Sequence, residues 1–144
     1  MRNALFIDAL FLPLFAPQGR GIVLRCLFHP DPQRHLLFTA SEDGSVRGWD
    51  LISRACELQL TAHFSAATAL CLAAAPPPAV TSSTSSHPTV LLSAGRDQIV
   101  HMTRLSGKAK AVSFAAHESL EALGVVDGRV GTRAAGSSWK AGID

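Results

Sequence analysis

The sequence predicts an all-β protein. It reads as a partial β-propeller of about two four-stranded antiparallel blades, with a disordered insertion and a disordered C-terminal tail. Three observations predict this. The stretch LLFTASEDGSVRGWDL (Leu36 to Leu51) is a strand, a tight acidic turn and a second strand ending on Trp49-Asp50. Asp43-Gly44 between two strand-like runs is a hairpin signal, because the turn needs positive φ and Gly supplies it without a Cβ clash. Polar landmarks also recur at one spacing: Asp43 and Asp97, Thr39 and Ser93, and His63 and His117 each lie 54 residues apart. A shared offset of this kind marks an internal repeat.

Residues 1–20 form a segment outside the repeats. They have one early Arg, an apolar stretch and then Ala16-Pro17, the outline of a secretory signal. Asp8 interrupts the apolar run and Pro13 breaks it again. No stretch approaches the ~20 apolar residues that cross a bilayer. The segment is read as a remnant of a preceding repeat or as sequence outside the fold.

Residues 21–63 form the first blade. Gly21 to Phe28 is apolar on both faces, as expected of a strand between neighbouring blades. His29-Pro30-Asp31-Pro32 ends it, since Pro cannot donate to a ladder. Leu36 to Ser41 and Ser45 to Leu51 are the second and third strands. Arg54 to Leu60 is the fourth, with Cys56, Leu58 and Leu60 alternating against Ala55, Glu57 and Gln59.

Residues 64–117 form the second blade, with strands at Ser65 to Leu72, Val90 to Ala94, Ile99 to Leu105 and, more weakly, Ala109 to Ala115. The repeat exceeds the usual ~40–45 residues. The excess lies at residues 73–88, AAAPPPAVTSSTSSHP, a Pro- and Ser-rich run read as a disordered loop. Residues 118–144 are read as the start of a degenerate third repeat and a disordered tail, because Gly124, Gly128, Gly131, Gly136 and Gly142 break every periodic run. Trp139 there matches no landmark. Two blades cannot close a propeller, for which four to eight are typical. The expectation is therefore a piece of a longer propeller, a shortened gene product, or a subunit that another chain completes.

Composition narrows the function classes. Apolar residues make up 47% of the chain, enough for a core, and the net charge of +2 is too small to specify a nucleic-acid or membrane surface. Three cysteines, Cys26, Cys56 and Cys71, form no Cys-x-x-Cys, and their odd number argues against a disulfide framework. They read as reduced, packed thiols, which suits a cytosolic or nuclear compartment. Arg96, Arg104, Lys108 and Lys110 read as a solvated basic face, with a contact to RNA or an acidic partner as the alternative.

His63, Ser93 and Asp97 match hydrolase triad members by type. Their spacing favours a structural role. The Ser or Thr lies four residues before the Asp in both repeats, on a strand and not in Gly-x-Ser-x-Gly. The reading is a buried hydrogen-bond network of Thr39, Asp43 and Trp49 in one unit and His63, Ser93 and Asp97 in the next. It is incomplete in each: the first lacks a His near Gly19 or Arg20, and the second has Thr103 where Trp49 aligns. No catalytic, cofactor-binding or metal-binding residue is assigned. His29, His35 and His101 lack the convergence that a metal needs.

The stretches FHPDPQRHLLFTASEDGSVRGWDL, LTAHFSAATAL, LLSAGRDQIV and AHESLEALGVV resemble the WD-repeat (beta-transducin-like) superfamily. Within it they resemble the transducin-beta-like, U3 small nucleolar RNA-associated family of the small-subunit processome. The resemblance covers roughly residues 21 to 126. It implies a non-catalytic scaffold in ribosomal RNA processing, located in the nucleus and nucleolus. Its partners would be other proteins of a large assembly, with an indirect association with U3 small nucleolar RNA and pre-rRNA, no membrane and no cofactor. Further blades or a partner chain are expected to close the propeller. A WD-repeat adaptor in signalling or ubiquitin-ligase substrate recognition is the alternative, weakened because Ile52 stands where Trp-Asp-x-Arg requires Arg. A serine hydrolase using Ser93, His63 and Asp97 is the distant one.

Overall fold

The computed structural model describes residues 21–60, 63–74, 89–105, 111–126 and 129–143. Among them the chain is all strand and turn. The first sheet runs β1 (Val23–Phe28), β2 (Leu36–Ser41), β3 (Val46–Asp50) and β4 (Cys56–Leu60) in chain order. The second runs β5 (Ala67–Ala74), β6 (Thr89–Gly95), β7 (Ile99–Arg104) and β8 (Ala111–Ala115). Every pairing is antiparallel. Two four-stranded antiparallel sheets therefore form, as the predicted partial β-propeller requires.

The repeat is visible in the pairing itself. Leu37 faces Trp49 and Thr39 faces Arg47 across β2 and β3. Leu91 faces Thr103 and Ser93 faces His101 across β6 and β7. Each residue of the second set lies 54 positions after its counterpart in the first. Side chains alternate across a strand, so a one-residue slip would exchange the side chains that meet the two faces.

The C-terminal part departs from expectation. Where a disordered tail is predicted from Gly124 onward, a third sheet forms from β9 (Leu120–Val126), β10 (Arg129–Ala134) and β11 (Lys140–Ile143). Gly124 and Gly131 face each other across β9 and β10. The Trp139 ring lies over both, with its atoms 3.5 and 3.6 Å from where their Cβ atoms would stand. Glycine in a strand often marks such a close approach. The glycines that read as breakers are thus the seat of the Trp that matches no landmark. Residues 1–20, expected to lie outside the fold, and most of the loop at 73–88, expected to be disordered, fall outside the described residues. The first two loop residues, Ala73 and Ala74, end β5.

β5 packs on β1 and β2 to one side and on β9 to the other, which makes the second sheet the middle layer. Two cores result. Phe38, Ala40, Val46, Ala67 and Leu91 fill the space between the first and second sheets. Ala69, Leu92, Ala94, Val100 and Leu120 fill the space between the second and third. Thr68 Oγ1 donates to the Leu120 carbonyl across the second interface. Among the described residues no strand of the first sheet pairs with one of the third, so the array is open. No helix of the described residues is long and apolar enough to cross a membrane. β1, predicted to be sandwiched, is only partly covered, with Phe28 59% exposed.

Candidate functional site

The polar landmarks lie on the inner strands of each sheet, at the turns between them and just ahead of β5. In the second sheet His63 precedes β5, Ser93 lies on β6 and Asp97 occupies the β6–β7 turn. The His63 Nδ1 stands 3.0 Å from both Asp97 carboxylate oxygens. Its Nε2 stands 2.9 Å from the Ser93 hydroxyl. The Phe64 amide adds a bond to Asp97 Oδ2 at 3.2 Å. One side chain thus ties the segment before β5 to β6 and to the turn after it. Burial requires such pairing, because an unmet polar group inside a protein costs roughly 1–3 kcal/mol.

In the first sheet Trp49 Nε1 donates to Thr39 Oγ1 at 2.9 Å, buried between β2 and β3. Asp43 does not join that pair. Its Oδ1 accepts from the Ser45 amide at 2.9 Å and from the Ser45 hydroxyl. Arg47 lies 3.7 Å from its other oxygen. Burial pushes the Asp43 carboxyl up, but the Ser45 and Ser41 bonds and the Arg47 charge outweigh it and hold the pKa below the usual carboxylate value. Gly21, ahead of β1, passes close to this turn: a Cβ there would stand 2.3 Å from Ser41 Oγ and 2.9 Å from Asp43 Cβ, so the chain leading into β1 has no room for a side chain.

His101, a lone strand histidine by sequence, takes part in the second network. Its ring meets His63 edge to face, 4.6 Å between centroids at 83°. Its Nδ1 bonds the Ser113 hydroxyl at 3.1 Å. The signal for it is the register: His101 faces Ser93, as Arg47 faces Thr39. His63, Asp97 and His101 offer three ligand atoms within 4.8 Å of one another. Both His63 nitrogens already bond Asp97 and Ser93, so a cation would have to break that chain to bind.

The Ser93–His63–Asp97 order matches a hydrolase triad in its contacts. Accessibility separates the two. Ser93 is 2% exposed and His63 6%, so a substrate carbonyl has no path to the hydroxyl. Thr103, at the position equivalent to Trp49, is buried at 1% exposure opposite Leu91. The three cysteines are free and half-buried, and burial pushes each thiol above its ordinary value.

Four-stranded antiparallel blades in an open stack, with Trp-Asp closing the third strand of the first blade, form part of a β-propeller, and the relatives support a WD-repeat fragment. Among WD-repeat proteins it resembles transducin beta-like protein 3. It is 39% identical to that protein of Bos taurus over 102 residues, 71% of this chain. Identity to the Rattus norvegicus and Mus musculus proteins is 38% over the same length. The chain spans 11% of the length of each of these relatives. No protein-family model matches it. Among solved structures, the crystal structure of the computationally designed Ika4 protein is similar, with a TM-score of 0.60 at 20% identity. That likeness covers 86% of this chain and 68% of the designed one, and at this identity it concerns the fold.

Proposed function

We propose that the chain is a non-catalytic interaction element of a ribosomal RNA-processing scaffold, acting in the nucleolus within the small-subunit processome. The observation that carries this reading is the 38–39% identity to transducin beta-like protein 3 over 102 residues. The burial of Ser93 and His63 supports the non-catalytic part. Such a scaffold binds by surface complementarity, so its polar network serves rigidity, and its partners are proteins. Association with U3 small nucleolar RNA and pre-rRNA comes through them. The open blade faces require further blades or a partner chain to cover them.

Affinity purification of the tagged chain from nuclear extract tests the reading. Enrichment of small-subunit processome proteins and nucleolar fluorescence are expected. Recovery of cullin adaptors in their place, with a diffuse cytoplasmic signal, would overturn it. A fluorophosphonate probe is expected to leave the chain unlabelled, and labelling that vanishes in Ser93→Ala would establish an enzyme.

A further inference from the structure

A cleft of about 150 Å³ opens between the first and second sheets, away from the His63 network. Its floor includes Phe38, Leu58 and Leu105, and its rim carries Arg34, Arg104 and Glu57. Gly48 lines it as well, and a Cβ there would press on Leu58 and Phe38 at 3.1 and 3.2 Å, so glycine keeps the floor open. Clefts for drug-sized ligands and cofactors run to about 300–1,000 Å³. This one is the size for a single side chain.

The rim defines what lies beside that side chain. Arg34 and Arg104 are exposed, and among the described residues neither guanidinium has a carboxylate partner. Glu57 is the single carboxylate of the lining. An apolar floor beneath two unpaired guanidiniums fits an apolar anchor with acidic neighbours, since Arg pairs with carboxylates through two parallel hydrogen bonds. A single-stranded nucleic acid would want exposed aromatic faces for its bases. The lining offers two aromatic rings, Phe38 at 1% exposure and the half-buried His29 with its centroid 6.4 Å from that of Phe38, so no pair of open faces is available to stacked bases.

We propose that this cleft docks an extended segment of a protein partner, one that presents a bulky apolar side chain flanked by carboxylates. The proposal rests on the reading of the chain as a protein-binding element, and not on which assembly it serves. The flanking acids steer the encounter and the anchor sets the lifetime of the complex, so affinity falls with salt without vanishing.

Fluorescence polarisation on the full chain tests it, with a short labelled peptide carrying one leucine among aspartates and glutamates. Saturable binding is expected. It should weaken about tenfold or more in the Arg34→Glu, Arg104→Glu double variant and by less in the double Lys variant, which keeps the charge but loses the paired hydrogen bonds. Replacing the leucine by serine should weaken it comparably. Circular dichroism melting checks that the variants fold, as both positions are at the surface. Equal binding of the serine peptide or of an oligouridylate, or binding untouched by charge reversal, overturns the assignment. If the peptide fails while processome proteins still co-purify, the cleft falls and the proposed function stands. If the peptide binds and no such protein co-purifies, the converse holds.

Discussion

Ser93, His63 and Asp97 show how three residues of catalytic type act as a structural clasp. The His63 ring uses both nitrogens, so removing either partner strands a buried group. Ser93→Ala is expected to cost roughly 1–3 kcal/mol, read as a lower urea midpoint. Thr39→Val should cost a similar amount, because Trp49 Nε1 then loses its acceptor on β2. Gln98 points the other way. It stands where the first hairpin has Gly44, and both adopt positive φ, 66° and 82°. A side chain in that region costs roughly 1–2 kcal/mol. Gln98→Gly is therefore expected to raise stability by about 1 kcal/mol, seen as an increased melting temperature. Residue types and spacing exposed the Thr, Ser, His and Asp positions. They did not expose His101, whose contact with His63 depends on the cross-strand register.

At the scale of elements, the two hairpins and the third sheet differ in how they are held. The first hairpin depends on Gly44, where a Cβ would fall 2.4 Å from the His63 carbonyl oxygen, so the turn also abuts the segment that opens the second blade. Its acidic residue makes it pH-sensitive. The Asp43 pKa is lowered in the folded chain, so its contribution is present above the unfolded carboxylate value of ~3.9 and is lost as pH falls through the folded value. The stability lost between about pH 5 and about pH 3 should be smaller in Asp43→Asn than in the parent, measured by urea unfolding. Within the third sheet the Trp139 ring covers Gly124 and Gly131, with Arg133 5.7 Å from the ring. Trp139→Ala is expected to speed amide exchange in β9 to β11 and leave β1 to β4 unchanged. Equal acceleration in every strand would show that the sheet does not depend on this contact.

Across the whole molecule, the middle sheet holds the other two together. It shares one core with each neighbour, and Leu120, 2% exposed, is the fully buried residue that β9 contributes to the second, beside the partly buried Leu123 and Val125. Leu120→Ala is expected to cost roughly 2–5 kcal/mol, more than any comparable change on exposed β8. Calorimetry would show it as a lower melting temperature. Large apolar groups remain in solvent at the turns and strand ends: Phe64 at 92%, Val126 at 73% and Ile52 at 71%.

The strands of the first two blades, their turns and their 54-residue repeat were determined by the sequence alone. Alternation of apolar residues and the need for positive φ at a tight turn act over a few neighbouring positions. Tertiary structure decided the rest. It alone turned Gly124 and Gly131 from strand breakers into a floor for Trp139, because the value of an absent Cβ depends on what approaches it. It alone set Gly21 against Asp43 and His101 against His63, and it left Arg34 and Arg104 around an apolar cleft. Such pairings join positions far apart in the chain, where local pattern carries no information about distance.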